Sequence, residues 1–427
     1  MSPASLADIA ARLAAYDPQA LRVDVAQQFI TELLPLPQHC EHLGLRAALG
    51  RVLAADIISP MQVPAADNSA MDGYALRASD LAADTETRLR LAGTSLAGGA
   101  ASDPVAPGSC QRIMTGALMP LGLDTVVPQE FTRREDEFVV IPPGLLRAGD
   151  NRRLAGEDLA LGSVALAAGR VLRPADLGLL ASLGLSEVPV RRRLKVAIMS
   201  TGDELRGVGE ALPAGCVYDS NRYTMWAMLE RLGVEVIDLG IVRDQPEALR
   251  EAFTRAAAEA DAVISSGGVS VGEADHTKRV MAELGEVLFW RIAMRPGRPM
   301  AIGRIRSEGK TALLFGLPGN PVAVMVTFYA FVREALLRMS GARLDPLPLL
   351  RAASTCAIRK KAGRTEYQRG VVTRRPDGQW QVEITGNQGS GILSSMSQAN
   401  GLVLLGHAQG DVAAGELVDV LPFEGLI

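Results

Sequence analysis

Between residues 193 and 342 the sequence alternates between short apolar runs and amphipathic helical patterns. The apolar runs, which predict strands, lie at 195–199, 234–241, 261–264, 287–292 and 311–315. The helical patterns lie at 222–232, 246–260, 276–284 and 321–339. Strands that alternate with helices predict a parallel or mostly parallel sheet covered on both faces, which is a three-layer α/β/α domain.

Polar or glycine-rich residues follow every one of these predicted strands. The five turns are Ser200-Thr-Gly-Asp-Glu204, Arg243-Asp244, residues 265–275, Arg295-Pro-Gly-Arg-Pro299 and Leu317-Pro-Gly-Asn-Pro321. One such turn would be ordinary, but five at the same edge of a sheet are poorly explained by structure alone. Ligands of parallel sheets bind beyond the carboxyl ends of the strands, so we expect a site at this edge.

The third turn reads Ser265-Ser-Gly-Gly-Val-Ser-Val-Gly-Glu-Ala-Asp275 and leads from a buried strand into a helix. Its glycines allow the backbone to approach a ligand and to direct N–H groups at an anion. Glu273 and Asp275 place two carboxylates in the same turn, which an anion site tolerates only when a cation is also present. The turn therefore predicts a phosphate-bearing substrate held together with a divalent metal.

The other strand ends supply the same two kinds of charge. Carboxylates are hard oxygen ligands that suit Mg²⁺, and they occur at Glu204, Asp244, Glu273 and Asp275. Guanidinium groups match the oxygens of a phosphate-like anion, and they occur at Arg291, Arg295 and Arg298. These opposite charges could instead pair with one another, and the sequence leaves that alternative open. We favour a site for an anion and a metal.

The remaining segments predict three further units. Residues 1–59 and 154–192, which include a helical pattern starting at Pro174, are assigned to one discontinuous linking domain. Residues 60–153 have the short strands and Gly, Pro, Asp and Asn turns of an inserted β-rich domain. Residues 343–427 again show short predicted strands separated by turn residues, with a hairpin signal at Pro376-Asp-Gly378. They predict a C-terminal β domain.

Composition limits the partners and the cellular compartment that we expect for the protein. A net charge of −4 and an isoelectric point near 5.8 argue against non-specific nucleic-acid binding. The four cysteines lie far apart without a C-x-x-C pair, which predicts buried thiols in a reducing cytoplasm rather than disulfides or a zinc site. The most apolar segment, residues 321–332, is too short to span a bilayer. We therefore expect a cytoplasmic protein without membrane segments.

With these residues assembled, the chain resembles the molybdopterin molybdenumtransferases of the MoeA family, which includes the E domain of gephyrin. The resemblance covers nearly the whole chain in family order. It runs through Asp67-Asn-Ser-Ala-Met-Asp-Gly-Tyr-Ala75, Arg112-Ile-Met-Thr-Gly-Ala117, residues 153–158, Ser200-Thr-Gly-Asp-Glu204, residues 265–275, Gly316-Leu-Pro-Gly-Asn-Pro321 and Gly386-Asn-Gln-Gly-Ser390.

This resemblance implies the last step of molybdenum cofactor synthesis. Adenylylated molybdopterin and molybdate react in the presence of a divalent cation such as Mg²⁺, giving the molybdenum-loaded cofactor and AMP. Family members are elongated homodimers, whose cleft joins the α/β domain of one subunit to the inserted domain of the other. Possible partners for handing over the cofactor are also implied.

Site residues carry over from the family position by position. Catalytic roles are implied for Asp67, Thr115, Asp158 and Glu204, and metal contacts for Asp244 and Asp275. Substrate contacts are implied for Gly267, Gly268, Ser270, Gly272, Pro318 and Pro321. Positions associated with the oxyanion are Arg291, Arg295, Arg298, Arg369 and Ser395.

The chain departs from the family in using arginine at 291, 295 and 298, where lysine is common. Arginine keeps the charge but changes donor geometry. With five lysines and 39 arginines in the chain, compositional drift explains the exchange as readily as altered oxyanion choice, including that between molybdate and tungstate. Two other functions remain open, namely adenylyl transfer to molybdopterin and a non-catalytic scaffold like that of gephyrin.

Overall fold

The computed structural model describes residues 5–35, 39–100, 103–269 and 276–423. Its central feature is a six-stranded sheet with the strands, in spatial order, Glu235–Val242, Lys195–Thr201, Ala262–Ser266, Lys310–Leu317, Pro299–Ser307 and Gly285–Arg291. The five predicted strands are present and run parallel to one another, so their carboxyl ends lie at one edge.

The sixth strand, Pro299–Ser307, is antiparallel to both of its neighbours and was not predicted. It begins at a proline and contains Gly303, and both residues are uncommon inside strands. The glycine is needed because a Cβ at this position would lie 2.1 Å from the carbonyl oxygen of Glu286 on the adjacent strand.

Helices cover the two faces of the sheet, which confirms the predicted three layers. Successive side chains along each strand point to opposite faces of the sheet and so pack into two different cores. Ile198 belongs to one core, and its neighbour Met199 belongs to the other. One face carries the helices Leu6–Arg12, Val23–Leu33, Asn221–Arg231, Pro321–Thr327 and Arg333–Met339, the last two joined by a π-helical turn at Phe328–Val332. The other face carries Pro246–Glu259 and His276–Leu284.

The first two helices pack on this α/β domain, although the sequence pattern grouped them with the linking segments. Phe29 meets Trp290 edge to face with a ring-centroid separation of 5.0 Å. The Nε1 atom of Trp290 donates to the hydroxyl of Tyr16 at 2.9 Å. Both aromatic rings belong to the core cluster that contains the sheet, so the N-terminal helices complete one outer layer of this domain.

Three nested antiparallel strand pairs connect the α/β domain to the inserted segment. The pairs are Cys40–Gly44 with Glu187–Arg191, Ile57–Ile58 with Val164–Leu166, and Asn68–Ser69 with Arg152–Arg153. The 3₁₀-helix Leu45–Ala48 and the helix Pro174–Ser182 pack beside them around a separate apolar core. The outgoing and returning chains therefore remain side by side along this connection.

Beyond the nested pairs lies a second six-stranded sheet within residues 73–141. Its strands, in spatial order, are Thr125–Pro128, Gly73–Leu76, Ser109–Ile113, Thr87–Ser95, Phe138–Ile141 and Arg133–Glu135. Short 3₁₀-helices lie at Ala78–Asp80 and Gln129–Phe131. Two small apolar clusters, one on each side of the sheet, form the core of this unit.

The C-terminal segment closes into a β-barrel. Its strands are Leu350–Ser354, Thr365–Arg374, Trp380–Ile384, Gly401–Leu405 and Leu417–Pro422, and the helix Leu393–Gln398 precedes the fourth of them. The predicted hairpin is confirmed, because the second and third strands pair on either side of Arg375–Gln379. A further strand, Met294–Arg295, comes from the α/β domain and pairs with Thr365–Arg374.

The four cysteines are unpaired, as predicted, but the expectation that they are buried is wrong for most of them. Only Cys110 is buried, whereas Cys40 and Cys356 are exposed. Burial raises the pKa of the Cys110 thiol to about 12. In the four described ranges, no helix combines the length and the apolar character needed to cross a bilayer.

Candidate active site

A cavity of about 1000 Å³ lies at the carboxyl edge of the parallel strands, between the α/β domain and the C-terminal barrel. All five turns predicted from the sequence contribute to its lining. The α/β lining consists of Thr201, Gly202, Glu204, Leu205, Asn221, Asp244, Ser266, Gly267, Gly268, Val269, Met294, Arg295, Pro296, Gly297, Arg298, Pro299, Pro318, Gly319, Asn320 and Ala323. The barrel adds Arg364, Gln388, Gly389 and Ser390.

The glycine-rich turn is packed so tightly that side chains are excluded. Gly267 has φ +93°, and a Cβ there would lie 2.5 Å from the carbonyl oxygen of Thr201. Gly268 has φ +67°, and its Cβ would lie 2.5 Å from the hydroxyl of Thr277. Both glycines therefore present bare backbone to the cavity. The remaining predicted residues of the turn, Ser270, Gly272, Glu273 and Asp275, lie outside the described residues.

Asn221, the first residue of the helix Asn221–Arg231, ties two of the turns together. Its Nδ2 atom donates to the hydroxyl of Ser266 at 2.7 Å and to the carbonyl oxygen of Gly319 at 2.7 Å. The hydroxyl of Ser266 in turn lies 3.5 Å from the carbonyl oxygen of Pro318. The Oδ1 atom of Asn221 is buried and has no hydrogen-bond partner among the described residues.

Two carboxylates face the cavity from neighbouring strand ends. Glu204 and Asp244 both belong to its lining. The Oδ1 atom of Asp244 lies 3.4 Å from the Thr277 hydroxyl, and its backbone N–H donates to Asp203 at 3.3 Å. The described residues contain no cluster of three side chains suited to binding a metal. Mg²⁺ commonly uses one or two carboxylates together with substrate phosphates and water, and this edge fits that requirement.

Three arginines line the same cavity, and they are not the three that the strand-end pattern indicated. Arg295 and Arg298 are present as predicted, but the third is Arg364 from the barrel. Arg291 is exposed and outside the lining, and its backbone N–H donates to Pro18 at 2.8 Å. In the described ranges the guanidinium groups of Arg295 and Arg298 form no ion pair with Glu204 or Asp244. Mutual charge neutralisation therefore has no support at Glu204 and Asp244, and it stays open for Glu273 and Asp275, which lie outside the described residues.

Arg369 and Ser395 lie together behind the cavity wall. The Nε atom of Arg369 donates to the Ser395 hydroxyl at 3.0 Å, and its Nη2 atom donates to the carbonyl oxygen of Gly389 at 2.9 Å. Arg369 is only 1% exposed. Burial, assisted by the charge of Arg295, lowers its pKa to about 10. The geometry shows Arg369 shaping the loop of Gln388 and Gly389, whose residues face the cavity.

The two predicted prolines occupy different places around this wall. Pro318 lines the cavity, and Pro321 is the first residue of its helix, preceded by Asn320 at the N-cap position. Within the described part of the chain, the Asn320 side chain forms no capping hydrogen bond. The backbone N–H of Val322 instead donates to the carbonyl oxygen of Ser390 at 3.1 Å, which joins this helix directly to the barrel.

The other predicted catalytic residues lie in the inserted domain or directly after it and are absent from the lining, as far as the described residues show. Asp67 accepts from the backbone N–H of Ala155 at 2.7 Å and from Arg152, which together lower its pKa. Thr115 donates to Asp72 through its backbone N–H and its hydroxyl, each at 2.7 Å. These bonds, the backbone one first, lower the pKa of Asp72.

Asp158 follows Glu157 at an exposed turn of the returning chain. Its backbone N–H donates to Val63 at 3.0 Å, so the turn is anchored while the side chain faces outward. The structure therefore divides the predicted catalytic residues into two groups. Glu204 lies in the cavity, whereas Asp67 and Thr115 lie in the inserted domain and Asp158 lies just beyond it on the returning chain.

Sequence reasoning did not select Asn221 or Arg364 as site residues. Asn221 stands in Tyr218-Asp-Ser-Asn221, directly before a helical pattern, and a polar residue there is usually regarded as a cap. Arg364 begins the run Arg364-Thr-Glu-Tyr-Gln-Arg369, in which only the second arginine was selected. A search for every polar residue next to a predicted strand or helix start would have included both.

Comparison with protein-family models covers most of the chain in three parts. Residues 21–184 match the MoeA N-terminal region (domain I and II), and residues 197–338 match a probable molybdopterin binding domain. Residues 351–423 match the MoeA C-terminal region (domain IV). The three matches follow the chain in this order, and the second contains the glycine-rich turn and most of the cavity lining.

Individual proteins show the same similarity. The molybdopterin molybdenumtransferase of Haemophilus influenzae is 43% identical over 408 residues, which cover 95% of this chain and 100% of that protein. The molybdopterin molybdenumtransferase of Nostoc sp. is 37% identical over 392 residues, 90% of this chain and 89% of that protein. The crystal structure of the molybdopterin biosynthesis moeA protein from Pyrococcus horikoshii is 28% identical with a TM-score of 0.80, covering 95% and 100% of the two chains.

Proposed function

We infer that this chain, which belongs to the MoeA family, is a molybdopterin molybdenumtransferase that inserts molybdenum during cofactor biosynthesis. The lining of the cavity is the observation that supports placing the reaction there. Bare backbone at Gly267 and Gly268 borders a site with Arg295 and Arg298 on one side and Asp244 on another. Such a lining suits a substrate that brings both phosphate groups and a coordinated cation.

The proposed substrates are adenylylated molybdopterin and molybdate, and the proposed products are the molybdenum-loaded cofactor and AMP. Molybdate is a tetrahedral oxyanion, for which guanidinium donors provide both charge and directed hydrogen bonds. Release of AMP breaks a phosphoanhydride bond and increases the negative charge on the departing phosphate. Positive groups already in place at Arg295 and Arg298 would stabilise that charge without reorganisation.

A divalent cation fits the carboxylate side of the cavity. Asp244 would hold Mg²⁺ together with Asp275 and the substrate phosphates, and Glu204 would act from the neighbouring strand end. When bound, the ion would neutralise phosphate charge and orient the phosphate oxygens. The hydroxyl of Thr277, 3.4 Å from Asp244, restricts the orientation of this carboxylate.

We place Asp67, Thr115 and Asp158 in the same reaction as contributions from a second copy of the chain. Asp67 and Thr115 lie in the inserted domain and Asp158 follows it on the returning chain, all three outside the lining of the cavity described above. A symmetric homodimer would let the inserted segment of one subunit complete the cleft of its partner, because a two-fold interface makes every such contact twice. We also propose a cytoplasmic location and transfer of the loaded cofactor to a recipient partner.

The activity is tested by incubating the purified protein with adenylylated molybdopterin, molybdate and Mg²⁺. We expect AMP release that depends on molybdate, together with a product that activates a molybdenum-requiring apoenzyme. Omission of each component in turn provides the controls. Absence of both AMP and active cofactor from the complete mixture would refute the proposal.

Mixed dimers test whether two subunits share each site. We expect Asp67→Asn and Asp244→Asn to be nearly inactive when each is alone. If every site uses both subunits, subunit exchange should restore about one quarter of the wild-type activity, since half of the dimers then carry one intact site. Exchange between two Asp244→Asn populations is the matched control. No recovery in the mixed sample would place both residues in one subunit's site.

The two other functions considered above are not favoured by the relatives, which are molybdenumtransferases. Adenylyl transfer would give adenylylated molybdopterin and pyrophosphate from ATP and molybdopterin, and the same preparation can be assayed for it. A purely structural scaffold would leave molybdate-dependent AMP release at background.

A further inference from the structure

Thr115 and Asp72 form a pair of exposed side chains in the inserted domain, and none of the roles assigned above involves Asp72. Thr115 donates to Oδ1 of Asp72 twice, through its backbone N–H and through its hydroxyl, each at 2.7 Å. The backbone bond, then the hydroxyl bond and the charge of Arg112, hold the pKa of the Asp72 carboxyl below its ordinary value of 3.8. The carboxylate is therefore ionised near neutral pH and can only accept hydrogen bonds.

The two loops that carry this pair are joined by backbone bonds that do not involve the Thr115 hydroxyl. Gly73 is in antiparallel register with Ile113, and the backbone N–H of Gly116 donates to the carbonyl oxygen of Ser69 at 2.8 Å. The backbone N–H of Thr115 adds a further connection. Because the backbone already holds the loops together, the chief effect of the hydroxyl bond is to orient the exposed Thr115 side chain.

The direction of the hydroxyl bond determines what Thr115 can offer to a ligand. A threonine hydroxyl has one hydrogen and two lone pairs, and here the hydrogen points to Asp72, because an ionised carboxylate has no hydrogen to give. Toward any ligand, Oγ1 of Thr115 is then an acceptor only. Oδ2 of Asp72 is a second acceptor, without a hydrogen-bond partner in the part of the chain that the structure describes. The side chains of the pair therefore present two acceptors and no donor.

We propose that Asp72 is a positioning residue that fixes the Thr115 hydroxyl as an acceptor, and that the pair recognises the amino group of a heterocyclic base in the substrate. Phosphate and molybdate do not suit this contact, because they present acceptor oxygens and carry the same sign of charge as the carboxylate. A neutral amino group carries two N–H donors, which match the two neighbouring acceptors. This inference rests on the proposed function, which places Thr115 at the substrate.

The proposed substrate contains two such amino groups, one on the adenine ring and one on the pterin ring. Isothermal titrations of the purified full-length protein with two pairs of probes distinguish them. AMP is compared with inosine monophosphate and pterin with lumazine, since a carbonyl oxygen replaces the amino group in the second member of each pair. We expect the wild type to bind the amino member of one pair about tenfold more tightly, because the carbonyl oxygen would face two acceptors. That pair identifies the ring.

Variants at the two positions test the orientation of the hydroxyl. Asp72→Ala leaves the Thr115 hydroxyl free to donate or to accept, so the preference for the amino member should disappear. Thr115→Val keeps the side-chain shape without the hydroxyl and should reduce the preference, whereas Thr115→Ser keeps the hydroxyl and should retain it. Asp72→Asn places an amide donor beside Thr115 and should shift the preference toward the carbonyl member. General loosening of the loops would weaken both members alike and leave their ratio unchanged.

Asp84→Ala is the matched control, because it removes another exposed carboxylate of the inserted domain and should keep the wild-type preference. Thermal unfolding identifies the variants that remain folded. The proposal is overturned by a wild type that prefers neither amino probe or binds none of the four, and equally by an unchanged preference in folded Asp72→Ala. If Asp72→Ala does not fold, the same criterion applies to Asp72→Asn. The titrations need neither molybdate nor turnover, so a failed insertion assay leaves their outcome interpretable.

Discussion

Arg295 lies beside Glu366 in parallel strand register, although about 70 residues separate them along the chain. The short strand Met294–Arg295 belongs in sequence to the α/β domain, but it pairs with the barrel. The turn that carries Arg295 and Arg298 is therefore held by both domains. The shape of the cavity depends on this docking as well as on the sheet beneath it.

Substitution of Gly267 by alanine should damage both stability and activity. A Cβ at φ +93° is strained, and here it would also lie 2.5 Å from the carbonyl oxygen of Thr201. We expect a loss of at least about 2 kcal/mol in the free energy of unfolding and a large fall in kcat/KM. Urea unfolding and the AMP-release assay measure the two effects.

The matched control for this variant is Gly410→Ala. A Cβ added at Gly410 would have no neighbouring atom within 4 Å, and the backbone there is outside the left-handed region, so alanine should fit without strain. Its unfolding free energy should stay within about 0.5 kcal/mol of the wild type. A Gly267→Ala protein as stable and as active as Gly410→Ala would contradict the tight packing of the turn.

Arg298→Ala should raise the molybdate concentration needed for half-maximal activity more than Arg291→Ala does. Arg298 lines the cavity, whereas Arg291 is exposed outside the lining. Losing a charged donor to the oxyanion corresponds to about 1.5–3 kcal/mol, or more than tenfold in apparent affinity. Steady-state kinetics with molybdate as the varied substrate provide the comparison. A larger effect at Arg291 would place the oxyanion on the other side of that strand.

Asn221→Ala should loosen the connection between two turns of the cavity. The substitution removes the hydrogen bonds to the Ser266 hydroxyl and the Gly319 carbonyl oxygen, both 2.7 Å long. Leaving the buried Ser266 hydroxyl without this donor should lower the free energy of unfolding by about 1–3 kcal/mol and reduce kcat/KM. Asn221→Asp retains the side-chain shape but replaces the donor with an acceptor, and we expect it to be no better than alanine.

The stability of the Asn221 variants is measured by urea unfolding, with Arg222 left unchanged so that its bonds to Asp219 and Asp238 still hold the helix start. Wild-type kinetics in Asn221→Ala would show that the two turns keep their positions without this side chain. The role assigned to the Nδ2 atom would then be wrong.

Asp67→Asn should weaken the inserted segment in a pH-dependent way. The backbone N–H of Ala155 and then Arg152 lower the pKa of the Asp67 carboxyl below its ordinary value of 3.8. A lowered folded-state pKa stabilises the protein above the unfolded-state value, and this contribution disappears as pH falls through the folded-state value. Because the pair is partly exposed, we expect a loss of only about 1 kcal/mol near neutral pH.

The difference between wild type and Asp67→Asn should therefore begin to shrink as the pH falls below about 5, and it should continue to shrink below the ordinary carboxyl pKa of 3.8. Urea unfolding at several pH values measures it, and Asp84→Asn, which alters an exposed carboxylate of the same segment, is the control. A difference that remains constant down to the acid limit would mean that Asp67 contributes by shape alone and not by charge.

The alternation of strand and helix patterns in the α/β domain was sufficient to predict its three-layer architecture. It also predicted the edge of the sheet at which the cavity lies. They did not identify the strand Pro299–Ser307, because a proline and an internal glycine conceal its pattern. Arg291 lies in a strand as predicted and is its last residue, but proximity to a strand end does not determine which way a side chain faces. Arg364 and Gln388 reach the cavity through docking of the barrel, and local sequence patterns carry no information about such distant contacts.

The nested strand pairs around Asn68–Ser69 and Arg152–Arg153 have a consequence for how this architecture can change. Since the outgoing and returning chains stay adjacent, the segment beyond them is an insertion whose first and last residues lie side by side. Such an insertion can be lengthened, exchanged or replaced by a short turn without displacing the nested strand pairs from which it extends. The distal sheet is thus held to the rest of the chain at one base only, so its core can change without disturbing the core of the α/β domain.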